Sequence, residues 1–167
     1  DQAAVYFNKK DFKLAVEYSH KALAKGAKIE DNYYHNIATA YYGLGQFQEA
    51  IVNFGNAIDM NPDKDELYSD IGDAYYRFGQ YKEAISNYEK AIELNSRQHI
   101  YYYELGCAYL VDGQYQAALA AIKKAIELNP NAYNYRVAYD LFEKTITYQK
   151  ALESNPRNAI TYFELGR

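Results

Sequence analysis

The chain has 167 residues, 49% of them hydrophobic and 24% charged, which excludes a disordered tail and suits one ordinary domain with a buried core. Its formal net charge of −4 provides no basic footprint for nucleic acid, and no apolar run is long enough for membrane insertion. A single cysteine, Cys107, forbids an internal disulfide, which fits a reducing, cytoplasmic setting.

In chain order, Asp1 to Lys10 lacks the charged start and apolar block of a signal peptide. A partial first unit spans residues 1–29. Its Tyr6, Phe12, Ala15 and Ala22 align with Tyr41, Phe47, Ala50 and Ala57 at an offset of 35, so the loop from Gly26 to Glu30 holds one extra residue. Three full units follow at residues 31–64, 65–98 and 99–132. Each opens on one phrase: Tyr34, Ile37, Ala38, Tyr41; then Tyr68, Ile71, Gly72, Tyr75; then Tyr102, Leu105, Gly106, Tyr109, at an interval of 34. A fixed period of this size marks a stacked repeat protein.

Within a unit the apolar spacing is helical. Tyr68, Ile71, Tyr75 and Phe78 form one stripe. A break at Gly79-Gln80 precedes a second stripe through Tyr81, Ala84, Ile85, Tyr88, Ala91 and Ile92. Asn61-Pro62, Asn95-Ser96 and Asn129-Pro130 end the second helices, since proline cannot continue a helix. Each unit therefore reads as two antiparallel helices. Ala50, Ala84 and Ala118 recur where closely packed helices need short side chains.

The fifth unit, residues 133–158, is short and irregular. Pro156 follows Pro130 by only 26 residues, and Arg136 to Lys150 holds neither Gly nor Pro. Two readings stand open: one fused helix from about Asn134 to Glu153, or a turn missing from the sequence as read. Residues 159–167 reopen the phrase with Tyr162, Leu165 and Gly166, so both ends cut through a unit. More chain beyond them, and self-association through exposed ends, are both expected.

These residues resemble the tetratricopeptide repeat (TPR) family, whose pattern is W-x₂-L-G-x₂-Y, A-x₃-F, P. The second unit reads Tyr34, Ile37, Ala38, Tyr41, Ala50, Phe54, Pro62. Tyr replaces the first Trp in each full unit, and Ser96 and Ile122 depart from the pattern in the third and fourth. The resemblance implies an all-α, right-handed superhelical solenoid of antiparallel helix pairs, with residues 1–167 as one repeat domain. It also implies a concave groove lined by first helices and occupied by a peptide or partner surface.

Carried over position by position, the groove candidates are His35, Asn36, Thr39 and Tyr42; Ser69, Asp70, Asp73, Tyr76 and Arg77; and Tyr103, Glu104 and Cys107. The carboxylate grip of chaperone-binding members is not expected, because Glu66 and Asp70 stand where Lys and Arg are required. Acidic residues among Tyr42, Tyr76 and Tyr103 instead suggest a protein or peptide partner with basic and apolar side chains. Asp70 and Asp73 have a second reading, as charges favoured near a helix start. His20, His35 and His99 form no metal-ligand spacing, and Cys107 has no cationic neighbour to activate it. The expectation is a non-catalytic interaction scaffold or adaptor without cofactor, metal or nucleic-acid partner. The alternative is a self-assembling homo-oligomeric scaffold of the magnetosome-associated, secretion or pilus-assembly kind.

Overall fold

Four residues after the last tyrosine of each phrase comes Gly-Gln, and this dipeptide turns one helix into a pair. In the computed structural model, which describes residues 2–26 and 32–154, Gly79 takes φ +87°, a left-handed conformation that costs glycine little. The N–H of Gln80 then reaches back to the Tyr75 carbonyl at 2.9 Å, and that of Gly79 to the Tyr76 carbonyl at 3.1 Å. These two hydrogen bonds satisfy carbonyls that the helix end would leave unmatched. Gln46 repeats it on Tyr41 (2.9 Å) and Gln114 on Tyr109 (2.8 Å).

The chain divides into two compact units, Asp1–Ser96 and Arg97–Arg167. The described residues of the first form α1 (Gln2–Asn8), α2 (Phe12–Ala24), α3 (Tyr33–Gly43), α4 (Phe47–Met60), α5 (Asp65–Phe78) and α6 (Tyr81–Leu94). Those of the second form α7 (His99–Val111), α8 (Tyr115–Leu128) and α9 (Tyr133–Ser154). The predicted pairs appear as α3–α4, α5–α6 and α7–α8. Residues 27–31 of the expected first loop and the reopened phrase at Tyr162, Leu165 and Gly166 lie outside the described residues.

The core of the first unit joins Ala38, Ala50, Ile51, Phe54, Ile71 and Ala74, with Tyr41 and Tyr75 packed against it. The alanines at the crossings are fully covered: Ala50 and Ala84 are 0% exposed. Gly72 has a stricter reason. A Cβ there would lie 2.8 Å from the ring of Tyr88, so this ring fills the space that glycine leaves. Tyr68, the leading aromatic of the same phrase, is only half-buried and donates its hydroxyl to the Pro62 carbonyl at 3.0 Å. At the far end of the pair, Asn95 Nδ2 donates to Asp65 Oδ2 at 2.9 Å and ties the start of α5 to the end of α6.

The second unit repeats this tie with a different residue. Asn129 Nδ2 approaches His99 Nε2 at 3.2 Å, and His99 Nδ1 lies 2.7 Å from the Tyr135 hydroxyl. Since the amide donates, the ring proton sits on Nδ1 and faces the tyrosine oxygen. The core here joins Ala118, Ile122, Ala125, Tyr135, Ala138 and Phe142.

Of the two readings left open for residues 133–158, the structure contains the single helix: α9 runs 22 residues without a turn. One interval of 34 beyond Tyr102, Leu105, Gly106 and Tyr109 stand Arg136, Tyr139, Asp140 and Glu143. Three of these four are charged and exposed. A second helix folding back would bury them unpaired, at a cost of several kcal/mol per charge. No glycine offers a turn, so the helix continues.

Candidate partner-binding faces

In the first unit, the phrase residues turn one side of α3 and α5 into the stack and leave the intervening residues to link the two helices. His35 Nε2 meets Asp70 Oδ2 at 2.7 Å, with side chains 28% and 39% exposed. The His35 ring also rests 5.8 Å from that of Phe54, which fixes its plane. The Thr39 hydroxyl donates to the His35 carbonyl at 2.8 Å, so it is committed to the backbone and not to the imidazole. Two helical turns further on, Arg77 of α5 lies near Tyr42 of α3, whose oxygen raises the guanidinium pKa. The His35–Asp70 link and the Tyr42–Arg77 approach, each spanning 35 residues, thus relate α3 to α5.

Tyr42 and Tyr76 hold equivalent places. Each ring packs edge-on against the aromatic that opens the next helix, Tyr42 on Phe47 at 5.6 Å and Tyr76 on Tyr81 at 5.5 Å. Asn36 and Arg77 are exposed, whereas Ser69 is 7% exposed. Asp73 turns toward α6, where its Oδ1 accepts the Tyr88 hydroxyl at 2.6 Å. Burial raises the Asp73 pKa; the Tyr88 hydrogen bond opposes this, the Asp70 charge adds to it, and Arg77 lowers it. Glu66 and Asp65 occupy the first turn of α5, where negative charge is favoured.

In the second unit, Tyr103 stacks on Tyr135 at 4.9 Å and 25°, joining α7 to α9. Burial raises the Tyr135 pKa, and the Glu104 charge adds to the shift. Cys107 is half-buried and packs against the core of this unit. Of the residues expected at the groove, the structure brings His35, Thr39, Tyr42, Asp70 and Arg77 together on the α3–α5 side. Tyr103, Glu104 and Cys107 belong to α7. The cross-helix pairings escape sequence reading because the between-phrase positions follow no apolar period. A separation of 35, one more than the repeat, is their only trace.

Two tetratricopeptide repeat family models match, one over residues 33–97 and one over residues 69–133, together more than half of the chain. The chain belongs to the tetratricopeptide repeat family. Proteins of this family are in general non-catalytic interaction modules. No curated protein sequence matches the chain significantly.

Among solved structures, that of MamA is similar at 21% identity, with a TM-score of 0.80, over 99% of this chain and 96% of that one. YrrB, described as a TPR protein with an unusual peptide-binding site, is similar at 23% identity and a TM-score of 0.77, over 83% and 71% of the two chains. The first TPR of Spaghetti (RPAP3), bound to the HSP90 peptide SRMEEVD, is similar at 20% identity and 0.67, over 70% and 93%. At these identities the likeness establishes the fold, an all-α TPR-like solenoid. No described helix is long and apolar enough to cross a membrane.

Proposed function

We propose that the chain is a non-catalytic interaction module that holds a segment of a partner protein on the α3–α5 face. The supporting observation is the His35–Asp70 link at 2.7 Å, which ties two neighbouring first helices together on this face. A preorganised face loses little entropy when a flexible segment settles on it. Tyr42 and Tyr76 supply aromatic anchors, and Asp70 supplies a half-exposed carboxylate. The segment this suits carries apolar side chains and at least one Lys or Arg.

The RPAP3 structure contains a peptide with two glutamates and an aspartate, so its fold accommodates an acidic ligand. The present face favours the opposite sign. The carboxylate it offers is that of Asp70, since Asp73 turns toward Tyr88 and Glu66 sits in the first turn of α5. Complementary charge sets choice and association rate more than affinity.

A fluorescence-polarisation panel of basic–apolar and acidic–apolar peptides tests this reading. The basic set binds and weakens at least about tenfold with Asp70→Lys. Preferential binding of the acidic set, or indifference to Asp70→Lys in a protein of unchanged helicity, contradicts it.

A further inference from the structure

We infer that Tyr88, which is 1% exposed and too deep to touch a partner, sets the charge of the α3–α5 face by holding the Asp73 carboxylate back toward α6. The inference rests on the reading of that face as the site of a basic, apolar segment. Asp70 and Asp73 stand three residues apart on α5, a spacing that makes side chains of one helix neighbours. Each gives one oxygen to an internal donor. Asp70 Oδ2 meets the His35 ring at 2.7 Å, and its side chain stays 39% exposed. Asp73 Oδ1 accepts the Tyr88 hydroxyl at 2.6 Å and is drawn off the face.

The full repeats on either side lack this pair. One interval of 34 before and after Tyr88 stand Phe54 and Ile122, which carry no hydroxyl. The residues equivalent to Asp73 are Thr39 and Cys107, neither of them a carboxylate. Gly72 admits the ring: a Cβ there would lie 2.8 Å from it, so the glycine beside Asp73 brings the hydroxyl within reach. Burial raises the Asp73 pKa and the Asp70 charge raises it further, so the two carboxylates lie within electrostatic reach of each other.

Without the hydroxyl, the donors left to Asp73 are waters on the open side, where Asp70 also stands. The face then carries two carboxylates one turn apart instead of one. A second negative charge about 6 Å from a partner's cation tightens binding roughly threefold in watery surroundings. Salt screens this gain.

Fluorescence polarisation with one basic–apolar peptide tests the inference on the full chain. Tyr88→Phe keeps the ring against Gly72 and removes only the hydroxyl. It is expected to bind about threefold more tightly at low salt, at unchanged helicity. Made in an Asp73→Asn background, the same change is expected to leave the affinity of that background as it is. Unchanged or weaker binding by Tyr88→Phe overturns the inference, and so does a gain that persists in the Asp73→Asn background.

If no variant binds the basic peptides, the reading of the α3–α5 face fails, and the free chain decides the role of Tyr88. In carbon-13 NMR of the carboxyl groups, an Asp73 turned out to solvent in Tyr88→Phe titrates lower than in the wild type, toward the ordinary aspartate value. An Asp73 that titrates as in the wild type, or higher, has stayed inside without its donor and overturns the inference.

Discussion

The α5–α6 pair and α9 begin from the same repeat position and end as different structures. In α5 the phrase supplies Tyr68, Ile71, Gly72 and Tyr75, and a glycine turn sends the chain back as α6, whose Tyr88 ring covers Gly72. In α9 the corresponding residues are Arg136, Tyr139, Asp140 and Glu143, and the helix runs on for 22 residues. The contrast shows that a helix pair needs two conditions together: a residue able to turn, and a first helix whose inner face can be buried. The second half of α9 keeps second-helix residues such as Ala151 and Leu152, but alone they do not make it fold back.

Moving the residues of one region into the other breaks this comparison. The largest effect is expected from Gly72→Asp, which installs in α5 the residue that α9 has. Its Cβ alone would lie 2.8 Å from the Tyr88 ring, and its carboxylate would be buried. A loss of at least about 3 kcal/mol is expected. Chemical denaturation with circular dichroism measures it, and an unchanged midpoint would show that Gly72 is not required.

Tyr88→Phe is expected to act at intermediate size and with a pH signature. It leaves the half-buried Asp73 carboxylate without its donor, which costs roughly 1–3 kcal/mol near neutral pH. The cost shrinks in acid, where Asp73 is protonated. The sign for the wild type follows from the raised folded-state pKa. The folded chain binds this proton more tightly, so the contribution of Asp73 is fully present below the ordinary aspartate value and is lost as pH rises through the raised one. Asp73→Asn therefore gains relative to wild type as pH rises through that window. Thermal melts of the three proteins across pH 3 to 7 would show parallel curves if Asp73 were solvated.

The smallest effect is expected from Glu143→Tyr, which restores the phrase tyrosine to α9. Glu143 is exposed and no helix among the described residues returns over it, so stability should change by less than about 0.5 kcal/mol. A gain much beyond that would mean that α9 has a hidden second-helix partner.

The helix pairs were legible in the sequence because packing enforces them. A residue at a crossing must be small and one at the core must be apolar, so Ala50, Ala84 and Ala118 recur at a fixed interval. The irregularity after Pro130 was legible as a missing turn, but choosing between its two readings required seeing charge at positions 136, 140 and 143. The links of the candidate face were much less legible. His35–Asp70, Arg77–Tyr42 and Asp73–Tyr88 join positions that the repeat leaves unconstrained.

The central claim is that the α3–α5 face receives a basic, apolar segment of a partner. Backbone amide NMR of the labelled protein, titrated with the tightest basic–apolar peptide, tests it most directly. Saturable shifts concentrated at His35, Asn36, Thr39, Asp70 and Arg77 are predicted, with the outer residues of α4 and α6 unmoved. Shifts confined to those outer residues, or none at saturating peptide, would contradict the account.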